Sequence, residues 1–76
     1  MRTTDKERIL ELFESSIEQL DRSAVYDAIA LAERDESDPK TKQLLHDAAL
    51  ALMRAQLDKK HLDTTRGLLE SIETGS

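Results

Sequence analysis

Apolar residues recur three or four apart along almost the whole 76-residue chain, and this helical period most limits the folds open to it. In the first segment Ile9, Leu10, Leu12, Phe13, Ile17 and Leu20 fall on one broad face at about 100° per residue, opposite Glu11, Glu14 and Glu18. The second segment carries the stripe Ala24, Val25, Ala28, Ile29, Leu31 and Ala32, and the last carries Leu62, Leu68, Leu69 and Ile72. A sheet protein would need far more Val, Thr, Tyr and Gly than this composition holds. The period predicts an all-α domain.

Punctuation divides the period into four helices. Thr4 with Glu7 forms a capping-box pattern at the start of a helix over 4–20. Ser23 opens a second over 23–35, which "RDESDP" ends. Asp38 is a good cap and Pro39 suits the first helical position, so the third runs 39–58. A turn around "KKHLD" places basic residues where the helix dipole favours them. The fourth spans 62–73, with Gly67 costing up to about 1 kcal/mol relative to alanine unless it marks a close contact. Short connections make successive helices antiparallel neighbours. One domain, 1–76, of two antiparallel hairpins is expected.

The segments "VYDAIALAER" and "LDTTRGLLESI" share a loose pattern: each follows a short turn and has an apolar residue, a small one three on, then further apolar positions. They resemble the second helix of a tetratricopeptide-type hairpin, as do the longer "LDRSAVYDAIALAERDESDP" and "LDKKHLDTTRGLLESI", and the resemblance covers about half the chain. The copies are about 37 residues apart rather than 34, Thr65 stands where alanine is usual, and the first-helix aromatic and glycine are missing. What the resemblance implies is hairpin architecture.

A chain this short buries only about 60% of its unfolded surface, so its stability margin is thin. Disulfides, a metal or association usually make up the difference. The chain has no cysteine, which excludes disulfides and thiolate zinc sites. His46 and His61 are the only imidazoles and have no ligand cluster beside them, so neither metal nor cofactor is expected. Association remains.

The third helix points the same way. Leu44, Leu45, Ala48, Ala49, Leu52 and Ala55 form one apolar face, while His46, Leu50, Met53 and Leu57 make a second seam at heptad-like spacing. A helix apolar on two sides is central or has partners on both, and the second seam suits a twofold homodimer. His46 reads as a seam residue whose charging in a buried interface would weaken it below about pH 6. As a phosphoacceptor it lacks the small and basic residues expected just after it, since Asp47, Ala48 and Ala49 follow.

Charge narrows the partners. Residues 1–38 hold five basic against eleven acidic side chains, and 39–76 hold six against five. Such a balance disfavours nucleic acid, whose phosphates call for a cationic surface, and suits a basic protein partner. Glutamates on the polar faces would be repelled by anionic lipid, and no apolar run reaches the roughly 20 residues of a membrane span. The opening "MRTTDKERILELF" does not read as a signal peptide. With no cysteine, a cytoplasmic protein is expected.

No motif carries catalysis. Carboxylate pairs such as Glu14 and Glu18 lack an apolar pocket that would raise a pKa, and no glycine-rich phosphate loop exists. The expected function is a non-catalytic protein–protein interaction module, a small adaptor, chaperone-like or regulatory subunit. Its candidate contacts are Glu11, Leu12, Glu14, Glu18 and Tyr26, with Leu12 and Tyr26 as exposed anchors. The alternative is a helix-turn-helix DNA-binding regulator, with Lys59 and Lys60 on phosphate and Thr64, Thr65 and Arg66 facing a groove.

Overall fold

A computed structural model describes all residues of the chain except Leu20, Gln56, Leu57 and Ser76. Four helices follow one another: α1 (Thr3–Gln19), α2 (Ser23–Asp35), α3 (Pro39–Arg54) and α4 (Lys60–Glu70). No strand occurs among the described residues. Each helix packs on its sequence neighbour, and α4 closes back onto α1. The pairs α1/α3 and α2/α4 face each other only across the core, so the helices form a four-membered ring. The body measures 32 × 18 × 18 Å. This closure is a bundle feature.

The helix boundaries have local causes. Asp38 caps α3: its Oδ2 accepts from the Thr41 N–H at 3.1 Å and the Thr41 hydroxyl at 2.8 Å, with Pro39 at the first position. The Thr41 hydroxyl, then its N–H, hold the Asp38 carboxyl below its usual range. A carboxyl held low adds stability above its ordinary titration range, and that stability is lost as pH falls from there through its lowered folded value. Thr4 lies inside α1 rather than capping it, because the helix begins a residue earlier on the Arg2 carbonyl. Asp21 Oδ1 accepts from the Ser23 N–H at 3.0 Å, so the carboxylate, not Ser23, satisfies the start of α2. Likewise Asp58 Oδ1 takes the Lys60 N–H at 3.0 Å and α4 opens at Lys60, ahead of Leu62. Helix α3 ends at Arg54 with Ala55 as its C-cap.

The core joins Ile9 and Phe13, Val25 and Ile29, Leu45, Ala48 and Leu52, and Leu69 with Ile72. Each large side chain sealed here contributes roughly 1.5–3 kcal/mol over leaving it in water. Three buried hydroxyls are satisfied within the bundle. Ser16 Oγ donates to the Phe13 carbonyl at 2.6 Å, Thr65 Oγ1 to His61 at 2.7 Å, and Thr41 to Asp38. The α2 stripe is only partly inward. Val25 and Ile29 are buried and Ala28 and Ala32 half-buried, but Ala24 and Leu31 are exposed. Helix α1 packs less extensively on α2 than α3 does, so the apolar stripe is wider than its contact.

Gly67 does not mark a close approach, since nothing lies within 4 Å of where a Cβ would stand. Gly67→Ala should therefore stabilise the domain by about 0.4–1 kcal/mol, through helix propensity and a less flexible unfolded chain. Thermal unfolding followed by circular dichroism checks this. A fall in the midpoint would mean that the space beside α4 is occupied.

Candidate interaction surface

Where α1 and α2 diverge they leave a groove of about 800 Å³. Its apolar lining comes from Ile9 of α1 and from Ala24, Ala28, Leu31 and Ala32 of α2, among as many charged side chains. Leu31 stands at the lip, 51% exposed. Alanine at these positions lets an incoming backbone come close, while a longer residue would fill the space. Arg2, Asp5 and Arg8 stand on the α1 side, with Asp27 and Asp35 on the α2 side. Asp5 sits 3.9 Å from Arg2, and Asp35 sits 3.6 Å from Arg34.

Met1, Glu36 and Gly75 also line the groove. The Met1 ammonium lies 3.3 Å from Glu36 Oε2, both nearly enclosed. Glu36 Oε1 also accepts the N–H groups of Ser37 and Asp38 at 3.1 Å each. The Asp38 N–H most of all, opposed by burial and aided by the ammonium, holds the Glu36 carboxyl below its usual range. Gly75 N–H donates to the Met1 carbonyl at 3.2 Å.

The second seam of α3 lies on the opposite side of that helix from Leu45 and Leu52. Leu50 is 39% exposed, Met53 57% and the His46 side chain 54%. Leu57, the fourth member, lies outside the described residues. His46 Nδ1 is 3.3 Å from Glu33 Oε1, so a charge on this imidazole would face a carboxylate rather than an apolar wall. A shallow hollow of about 390 Å³ beside it is lined by Glu33, Pro39, Lys42, Gln43 and His46.

The acidic face of α1 is partly engaged. Glu11 and Glu18 are exposed. Glu14 receives a two-pronged contact from Arg66, Nε to Oε1 at 2.7 Å and Nη2 to Oε2 at 3.2 Å. These bonds hold the Glu14 carboxyl low and raise the Arg66 guanidinium. Leu12 and Tyr26, expected as exposed anchors, are half-buried and pack against the core. Their faces turn towards the neighbouring helices once the ring closes. Tyr26 Oη and Arg22 Nε are enclosed with no hydrogen-bond partner among the described residues.

The DNA-contact set does not come together as a reading surface. Thr65 is fully buried, its hydroxyl bonded to His61, because α4 turns that side into the core. Arg66 is occupied by Glu14 and by Asp63 Oδ1 at 3.0 Å, and its guanidinium carbon sits 5.5 Å from the centre of the Phe13 ring. Lys59, Lys60 and Thr64 are exposed. The Asp63–Arg66 spacing was visible as a helical i, i+3 pair. The Glu14–Arg66 pair joins residues 52 apart and had no such signal.

Among the described residues no cluster of His, Asp and Glu is arranged to hold a metal ion, and no helix is long and apolar enough to cross a membrane. The chain matches no protein-family model, no curated protein and no solved structure.

Proposed function

We propose that the chain is a non-catalytic protein–protein interaction domain, a small adaptor or regulatory subunit, that takes an amphipathic helix of a partner in the groove between α1 and α2. The observation carrying this reading is the row of Ala24, Ala28 and Ala32 lining the α2 side of the groove, with Leu31 half-exposed beside it. Apolar grooves between helices receive the apolar stripe of a third helix, read through anchors one turn apart. Rim charges specify the partner further: an acidic flank would meet Arg2 and Arg8, and a basic flank Asp27 and Asp35. Glu11 and Glu18, exposed on α1, extend the attraction for basic groups. A cytoplasmic setting is part of the proposal and rests on the cysteine-free composition alone. The DNA-binding reading is less well supported, because burial of Thr65 and engagement of Arg66 remove its two central contacts.

Affinity isolation from the host lysate, with and without nuclease, tests the proposal when wild type and Leu31→Glu are run side by side. A protein retained by wild type through nuclease treatment and lost from the variant is expected. A centrally placed hot spot of about 2 kcal/mol weakens binding roughly 30-fold. Leu31 is already half in water, so the variant should keep its helical circular dichroism. Equal capture by both proteins, or recovery of nucleic acid, would overturn the reading.

A further inference from the structure

We infer that α3 is also a self-association face, and that two copies of the chain pair through it antiparallel about a twofold axis. The inference does not depend on the groove, which lies between α1 and α2. Among the described residues Leu50 and Met53 are two of the three large apolar side chains left exposed, and they stand on consecutive turns of one stripe. Solvent covers them although the opposite side of α3 is sealed by Leu45 and Leu52.

Charge decides the occupant and its direction. At about 100° per residue Arg54 and Asp47 both lie on the same edge of the Leu50 stripe, some 40–60° round from Leu50. A twofold axis perpendicular to two antiparallel helices brings like edges together. With Leu50 of one copy on Met53 of the other, Arg54 of each stands about 3 Å along the axis from level with the second copy's Asp47. A long guanidinium spans that offset, so two reciprocal ion pairs form. Asp47 has room for this: it is half-exposed, and the Gln43 amide at 2.9 Å engages only Oδ1. Among the described residues Arg54 has no carboxylate partner of its own. A parallel pairing would instead set Arg54 against the opposite edge, which carries Lys42, His46 and Ala49, with no acid to meet it. The face is complementary to itself in one direction only. A single-helix contact is small beside the roughly 800 Å² per partner of a stable interface, so the pair should form reversibly at micromolar or higher concentrations.

Sedimentation equilibrium over a wide range of concentrations tests this with two charge reversals, at exposed Arg54 and half-exposed Asp47. Wild type should rise from the 8.6 kDa monomer towards twice that mass. Arg54→Glu alone and Asp47→Arg alone each place like charges across the axis, so each should weaken self-association by about tenfold or more. An equimolar mixture of the two should associate again, since both contacts between unlike copies are then of opposite sign. Met53→Glu should be monomeric throughout. A wild-type mass that stays monomeric, or single reversals that associate like wild type, would overturn the inference. So would a mixture of the two reversals that fails to recover.

Discussion

Phe13→Ala is expected to cost about 3–5 kcal/mol and lower the thermal midpoint by on the order of 20 °C. Phe13 is fully buried, in one core cluster with Ile9, Val25, Leu45 and Leu69. Truncation removes a ring that no neighbour can replace, since the flanking positions are already filled by Leu10, Leu12 and Ile17. The lost contacts also include the guanidinium of Arg66, which covers one face of the ring. For 76 residues the whole stability should be only about 4–11 kcal/mol, so the variant would stand close to unfolding. Denaturant titration measures the loss, and Phe13→Leu, which keeps most of the volume, should recover more than half of it. A loss below about 1 kcal/mol would show that Phe13 is not central to the core.

Lys6→Met is the second large effect, and it tests ring closure. The Lys6 ammonium donates to the carbonyls of Glu70 and Ile72 at 2.8 Å each. Both lie at the C-terminal end of α4, where carbonyls lack helical partners and the dipole favours a cation. One side chain thus satisfies two orphan acceptors and fastens the last turn of the bundle to the first. Methionine keeps the stem and removes the charge. A loss of about 1–3 kcal/mol is expected, in line with hydrogen bonds to charged groups. Amide exchange should quicken from Glu70 to Gly75 before it does in α2 or α3. Uniform acceleration across all four helices would mean that Lys6 acts on global stability rather than on closure.

The acidic side of the stability profile follows from the three carboxyls held low. Glu14, Glu36 and Asp38 each find donors in the folded state that the unfolded chain lacks. Their contribution is present above the ordinary carboxylate range, near pH 4, and fades as pH falls from there through their lowered folded values.

Much of the fold is local, and therefore legible in the residues. The period at Ile9, Phe13, Val25, Ile29, Leu45 and Leu52 states which side of each helix seeks the core, because side chains three or four apart share a face. Asp38 and Pro39 mark the start of α3 by their own chemistry. The double apolar character of α3 was equally visible, and the structure buries one side and leaves Leu50 and Met53 open on the other.

The candidate groove was not legible, for a physical reason. Ala24, Ala28, Leu31 and Ala32 look like inward positions by period alone, yet whether they are covered depends on how closely α1 approaches. The position of α1 is a long-range matter: Lys6 and Glu14 fasten it to α4, and the Met1 ammonium meets Glu36 just beyond α2. Periodicity assigns a side chain to a face of its own helix. Only the packed bundle decides what stands opposite that face. It is why Leu12 and Tyr26 turn inward, why Thr65 is closed to any ligand, and why Leu31 and the alanines beside it stay open to water.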